Sequence, residues 1–151
     1  LTQGNRQFQR QLAQFAVETR PPLGLISDFV TERAGEYRGT IDLKKSGARL
    51  FTDAARVLSL AAGVTHTGTA QRLRQTGPML NMPATEITSL TDAFFFLQTL
   101  RLRSQIAENV TVQGANRIDP GQLNEVDRRI LKESLRQAGK LQSRLALDYQ
   151  L

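Results

Sequence analysis

Ala93-Phe94-Phe95-Phe96-Leu97-Gln98-Thr99-Leu100-Arg101-Leu102-Arg103-Ser104-Gln105 lies inside a run from Ala84 to Asn109 that holds neither glycine nor proline. Within it Ile87, Leu90, Phe94 and Leu97 recur at three- and four-residue steps, the spacing of one helix face. Phe95, Leu102 and Ile106 fall on a second face, which predicts a helix buried between other helices. Arg101 continues the first stripe, four residues after Leu97, and Gln105 follows by one turn. Polar groups on a core-facing stripe need partners, because burying an amide-like group unpaired costs roughly 2–7 kcal/mol. Arg101 is therefore expected to be shielded and bonded, to a carboxylate or to helix-end carbonyls, or else to floor a polar pocket.

Other segments carry the same period. Thr2 to Thr19 places Phe8, Leu12 and Phe15 at helical steps. Arg20-Pro21-Pro22-Leu23-Gly24 ends that helix, since proline disfavours helical geometry in the residue before it. A short helix is expected over Leu25–Arg33, with Leu25, Phe29 and Val30 inward, and Gly35 and Gly39 bracket a turn. From Thr40 to Gly47, Ile41 and Leu43 alternate with Asp42 and Lys44, so a short extended piece follows. Ala48–Ala62 reads as a helix stopped by Gly63. Thr69 is the expected cap of a helix over Ala70–Thr76 that Gly77-Pro78 ends. After a polar connection from Asn109 to Asp119, Asp119-Pro120 is expected to open the last helix, which runs to about Asp148. Its expected buried stripe is Leu123, Val126, Ile130, Ala138, Leu141 and Leu145. Asp127 and Gln142 fall inside that arc and require buried partners. The expected fold is all-α, a helical bundle with two long antiparallel helices and several short ones.

The 151 residues suit a single domain, and their 40% hydrophobic and 23% charged content is that of a globular protein. The absence of an initiator Met leads to the expectation that residues 1–151 are a single helical domain cut from a longer protein. With no Cys there is no disulfide framework, thiolate metal site or Cys nucleophile, and the single His66 builds no multi-histidine site. No apolar run reaches membrane-spanning length and the first residues lack the core of a signal peptide, so a cytoplasmic location and no membrane partner are expected. The net charge of +6 is carried mostly by arginines interspersed with acids. That is a weak basis for nucleic-acid binding, but it leaves room for bidentate phosphate or carboxylate contacts.

Signatures of catalysis are missing. Gly63 to Thr69 has the glycine spacing of a Walker loop, yet Thr69 stands where the lysine belongs and no strand precedes it. No Asp-x-Asp pair offers carboxylates for two Mg²⁺ ions in phosphoryl transfer. Asp42 and Asp53 flank the Lys44–Arg56 region and are expected to pair with its bases.

Six motifs in order carry a resemblance. They are Pro21-Pro22-Leu23-Gly24; Ile41-Asp42-Leu43-Lys44-x-x-Gly47; Ala55-Arg56-Val57-Leu58-x-Leu60; Thr69-x-x-Arg72-Leu73; Ala93-Phe94-x-x-Leu97-x-x-Leu100-Arg101-Leu102-x-x-Gln105; and Asn116-x-Ile118-x-Pro120-x-x-Leu123. Leu131-Lys132 and Gln142-x-x-Leu145 continue the pattern. Together, from Phe8 to Tyr149, they resemble the nucleotidyltransferase substrate-binding domain, the helical C-terminal domain of bacterial signal-transduction proteins. Those proteins carry cyclic-nucleotide-binding and CBS domains ahead of a nucleotidyltransferase domain similar to that of the PII uridylyltransferase. The resemblance implies a nucleotidyltransferase domain in cis that holds Mg²⁺ and a nucleoside triphosphate, with no cofactor in this chain.

On this reading the chain is not an enzyme by itself. It covers a catalytic site and helps bind a nucleotide or an acidic protein substrate through Asp42, Lys44, Arg56, Arg72, Arg101, Gln105 and Asn116. The bases would meet phosphate or acid, and the amides would orient polar groups. The alternative is a regulatory module that couples sensor domains to the transferase, or a homodimer formed through the last helix.

Overall fold

The computed structural model describes residues 3–107, 111–112 and 114–151. The chain order is α1 (Gln3–Glu18), β1 (Ile41–Asp42), α2 (Arg49–Ala62), α3 (Thr69–Met79), α4 (Ala84–Ile106), β2 (Arg117–Ile118) and α5 (Glu125–Tyr149). A π-helical turn at Lys44–Ala48 leads into α2, and a 3₁₀ turn at Pro120–Gln122 precedes α5. The all-α expectation holds. The expected helix start at Thr2 lies outside the described residues, as do Asn109 and part of the polar connection after it.

The two long helices run antiparallel. Arg103 near the end of α4 pairs with Asp127 at the start of α5 at 2.9 Å, and Arg144 near the end of α5 faces Glu86 at the start of α4 at 4.0 Å. α2 and α3 run in the same direction. The Thr52 hydroxyl meets Thr69 at 3.1 Å, and the far ends meet around a cleft lined by Leu58, Ala61 and Met79. Residues 63–68 make the return, released from α2 by Gly63 at φ 71°, in the left-handed region. Phe51, Leu90, Leu97, Leu131, Leu135 and Leu145 fill the centre, and the Phe51 and Phe94 rings meet at 6.1 Å.

The central helix buries only one of its two apolar faces. Leu90, Phe94 and Leu97 are buried and Ile87 packs against the core, whereas Phe95, Leu102 and Ile106 lie open to solvent. Helices cover α4 on one side only, so the expected second contact is not made.

The stretch after α1 is a loop, not the helix expected over Leu25–Arg33. A bridge between Leu23 and Phe29 closes a tight turn, and Gly24 N–H donates to the Asp28 carbonyl. A Cβ at Gly24 would run into the Ser27 carbonyl, so this turn requires glycine. Phe29 is buried, but Leu25, Ile26 and Val30 point out. The apolar spacing that mimics a helix here reflects a single inward anchor. Asp28 holds the loop to α5 through Lys132 at 2.5 Å and Arg128 at 3.6 Å. The hydrogen bond and charge of Lys132 keep the Asp28 carboxyl below its ordinary pKa.

Three further boundaries differ from expectation. Thr69 is the first residue of α3 and not its cap, Gly68 taking the cap position. α3 also passes through Gly77-Pro78, because Leu80 and Met82 N–H groups close its last turn onto Thr76 and Gly77 carbonyls. Asp119 accepts from Gly121 N–H at 2.8 Å and so caps only the 3₁₀ turn, while Asn124, accepting from Asp127 N–H at 2.8 Å, caps α5. The buried stripe of α5 is set by Leu131, Leu135, Ala138, Leu141 and Leu145. Val126, five residues before Leu131 and so roughly 140° round the helix, is exposed, as is Ile130. Gln142 is buried as expected, and its amide donates to the Ala16 and Thr19 carbonyls at 2.9 and 2.7 Å, capping the end of α1.

Candidate functional site

The period-two segment forms a strand only at Ile41–Asp42, paired antiparallel with Arg117–Ile118 in the register Ile41 to Ile118 and Asp42 to Arg117. Leu43 N–H extends the pairing by donating to the Asn116 carbonyl at 2.8 Å. Beyond Leu43 the chain coils at once, because Asp42 Oδ1 accepts from the backbone N–H groups of Lys44 and Lys45, both at 3.0 Å. This aspartate thus satisfies the first N–H groups of the π-helical turn from one residue before its cap position, Leu43, and Lys44 is displayed on that turn and not on a strand. The Lys44 side chain is exposed and makes no hydrogen bond or ion pair among the described residues.

The same ladder delivers Asn116 to α4. Asn116 Oδ1 accepts from Arg101 Nε at 2.9 Å and from Gln105 Nε2 at 3.2 Å. Arg101 Nη1 also donates to Gln98 Oε1 at 2.6 Å. Arg101 is half-buried and bonded, but its partners are neutral amide oxygens, neither the carboxylate nor the helix-end carbonyls expected. Leu100 is the last buried residue of α4, and beyond it Asn116, just ahead of β2, and Gln98 supply polar partners in place of apolar ones.

Asp42, Lys44, Arg101, Gln105 and Asn116 thus gather at the end of α4, around one short ladder. Arg56 and Arg72 are not tied to them. Arg56 pairs with Asp53 at 3.5 Å on an exposed face of α2, where Arg49 also reaches Asp53 at 3.1 Å. Arg72 Nε donates to the His66 carbonyl at 2.6 Å and holds the return loop against α3. Asp53 pairs with Arg56 as expected, whereas Asp42 is held by backbone N–H groups of the lysine turn.

Arg117 is the residue the sequence reading passed over. Its guanidinium stacks over the Tyr37 ring at 4.3 Å and donates to Thr40 Oγ1 at 3.3 Å and to Glu32 Oε1 at 3.4 Å, with Asp42 Oδ2 at 4.0 Å. It joins the 32–40 loop to the ladder. The available signal was the cross-strand pairing of unlike charges, Asp42 opposite Arg117.

Chemically, this end offers a lysine ammonium open to solvent, a guanidinium already oriented by two amides, and amide donors on one side. Groups of these kinds can donate hydrogen bonds to anionic oxygens. Among the described residues no three of His, Cys, Asp and Glu converge to hold a metal ion, so the residues here do not fit one. Nor is any helix there long and apolar enough to cross a membrane.

No curated protein and no solved structure matches the chain. A family model described as "Putative nucleotidyltransferase substrate binding domain" matches residues 6–149. That span contains the strand pair, the lysine turn, α2 to α5 and all of α1 after Asn5, and the chain belongs to the nucleotidyltransferase substrate-binding domain family.

Proposed function

We propose that the chain is the non-catalytic, substrate-binding part of a signal-transduction nucleotidyltransferase. It sits beside a catalytic domain in the same polypeptide and helps hold the triphosphate or an acidic acceptor. The catalytic domain supplies the Mg²⁺ ions and their carboxylates, together with the transfer chemistry. This chain's own residues bind and orient. Lys44 meets an anionic oxygen, Arg101 presents its remaining donors to a second, and Asn116 and Gln98 fix the guanidinium while Gln105 donates to Asn116.

The observation that carries this reading is the Lys44 turn. Lys44 is an exposed cation on a turn held by Asp42, next in sequence to Leu43, whose N–H bonds the carbonyl of the asparagine that orients Arg101, and its side chain makes no hydrogen bond or ion pair among the described residues. The test is to join the chain to the nucleotidyltransferase domain and assay Mg²⁺-dependent nucleotidyl transfer. Activity should require the catalytic domain, and the isolated chain should show none. Turnover by the purified isolated chain would contradict the assignment.

The regulatory alternative draws on the exposed Val126, Ile130 and Leu147 of α5. A dimer of the isolated chain broken by Val126→Asp and Ile130→Asp would favour that reading.

A further inference from the structure

Arg117 stands behind the lysine turn. It lies opposite Asp42 across the strand pair, and the two side chains are each only 16% exposed. Asp42 divides its carboxylate between two neighbours. Oδ1 accepts from the Lys44 and Lys45 N–H groups, both at 3.0 Å, and Oδ2 faces Arg117 Nη2 at 4.0 Å. Among the described residues Asp42 has no other ion-pair partner, and Arg101 is committed to Asn116 and Gln98. The Arg117 guanidinium is itself held, by the Tyr37 ring at 4.3 Å and by Thr40 Oγ1 at 3.3 Å. A guanidinium is a flat, permanently charged fork, so these contacts fix its orientation as well as its place. Charges shielded to this degree are screened much less than surface ones, so Arg117 offsets the charge of Asp42. The Lys44 side chain makes no ion pair among the described residues, although a carboxylate lies two residues before it.

We propose that Arg117 is the positioning residue of the lysine turn. It touches no substrate. It fixes Asp42 from behind and takes up its charge, so that the turn keeps its shape and the Lys44 ammonium is left for an anionic oxygen. The inference rests on the substrate-binding reading above.

Two measurements on Arg117→Gln test it. In the isolated chain, the Lys44 and Lys45 amides should exchange with solvent roughly tenfold faster, well beyond any change at Val57 and Leu58 in α2. In the chain joined to its nucleotidyltransferase domain, KM should rise roughly threefold or more with kcat in place. The same replacement made in Lys44→Ala should add nothing, because both changes act through one ammonium. Arg117→Lys, which keeps the charge, should raise KM less than Arg117→Gln does. An exchange rate that rises no more at the turn than at Val57 and Leu58 would make Arg117 a general tie of the fold and overturn the proposal. A KM effect of equal size with and without Lys44, or equal in the glutamine and lysine variants, would also overturn it. So would an unchanged KM in Arg117→Gln while Lys44→Ala raises it, and that result leaves the substrate-binding reading standing. If Lys44→Ala itself is silent, the reading falls and takes this role with it.

Discussion

Arg101 Nε on α4 donates to Asn116 Oδ1 at 2.9 Å, and the Asn116 carbonyl in turn accepts from Leu43 N–H at 2.8 Å. One asparagine therefore couples the strand pair to the guanidinium near the end of the central helix. Arg101→Met keeps the apolar stem and removes the charge. Its partners are neutral amides on half-buried residues that water can reach, so the loss should be about 1–2 kcal/mol. That is less than the roughly 3–5 kcal/mol expected when a buried ion pair loses one member. Urea denaturation of the isolated chain measures it. A loss at the higher figure would mean that Arg101 neutralises a buried charge.

Gln142 is a different kind of tie. Its amide satisfies two carbonyls at the end of α1, from the buried side of α5. Gln142→Leu preserves bulk but leaves those carbonyls without a donor, and should cost about 2–3 kcal/mol. Denaturant midpoints at constant m-value would show this. An unchanged midpoint would mean that the end of α1 finds its partners in water.

Asp28 makes the loop–α5 tie dependent on pH. Lys132, by hydrogen bond and charge, holds its carboxyl below the ordinary value. A carboxyl depressed in the folded state adds stability that is present above the unfolded-state pKa and lost as pH falls through the folded-state pKa. The tie should therefore hold at neutral pH and release only in acid. Carboxyl-resolved NMR titration should place the Asp28 midpoint below that of an unperturbed aspartate, and Lys132→Met should raise it. A midpoint indifferent to Lys132 would contradict the contact.

Local rules recovered the helices whose apolar spacing has one consistent phase, α2 with its Gly63 stop above all. They failed where one anchor imitated a period. Leu25, Phe29 and Val30 have helical spacing, yet only Phe29 is buried, because the bridge between Leu23 and Phe29 outweighs propensity. The phase of α5 was set too early from Val126 and Ile130, when the contacts with α1 and α4 select the Leu131 stripe. At the candidate site, Asp42, Lys44, Arg101, Gln105 and Asn116 are proposed from residue type and resemblance. Their meeting depends on the pairing of Ile41 with Ile118 and of Asp42 with Arg117, partners far apart in sequence, and no local pattern encodes it. Arg117 was missed for that reason. Arg56 and Arg72 were named with the cluster, although their contacts are local ones on α2 and α3.

Lys44→Ala in the chain joined to its nucleotidyltransferase domain tests the central claim most directly, read together with the melting midpoint of the isolated chain. Lys44 is exposed on its turn, so the midpoint should not move. If Lys44 holds an anionic oxygen of the substrate, removing a charge-assisted hydrogen bond worth about 1.5–3 kcal/mol should raise KM roughly tenfold or more with little change in kcat. Unchanged kinetics in a folded protein would contradict the substrate-binding role. A midpoint lowered by many degrees would make the Lys44 turn a structural clasp and remove the reason for placing the site there.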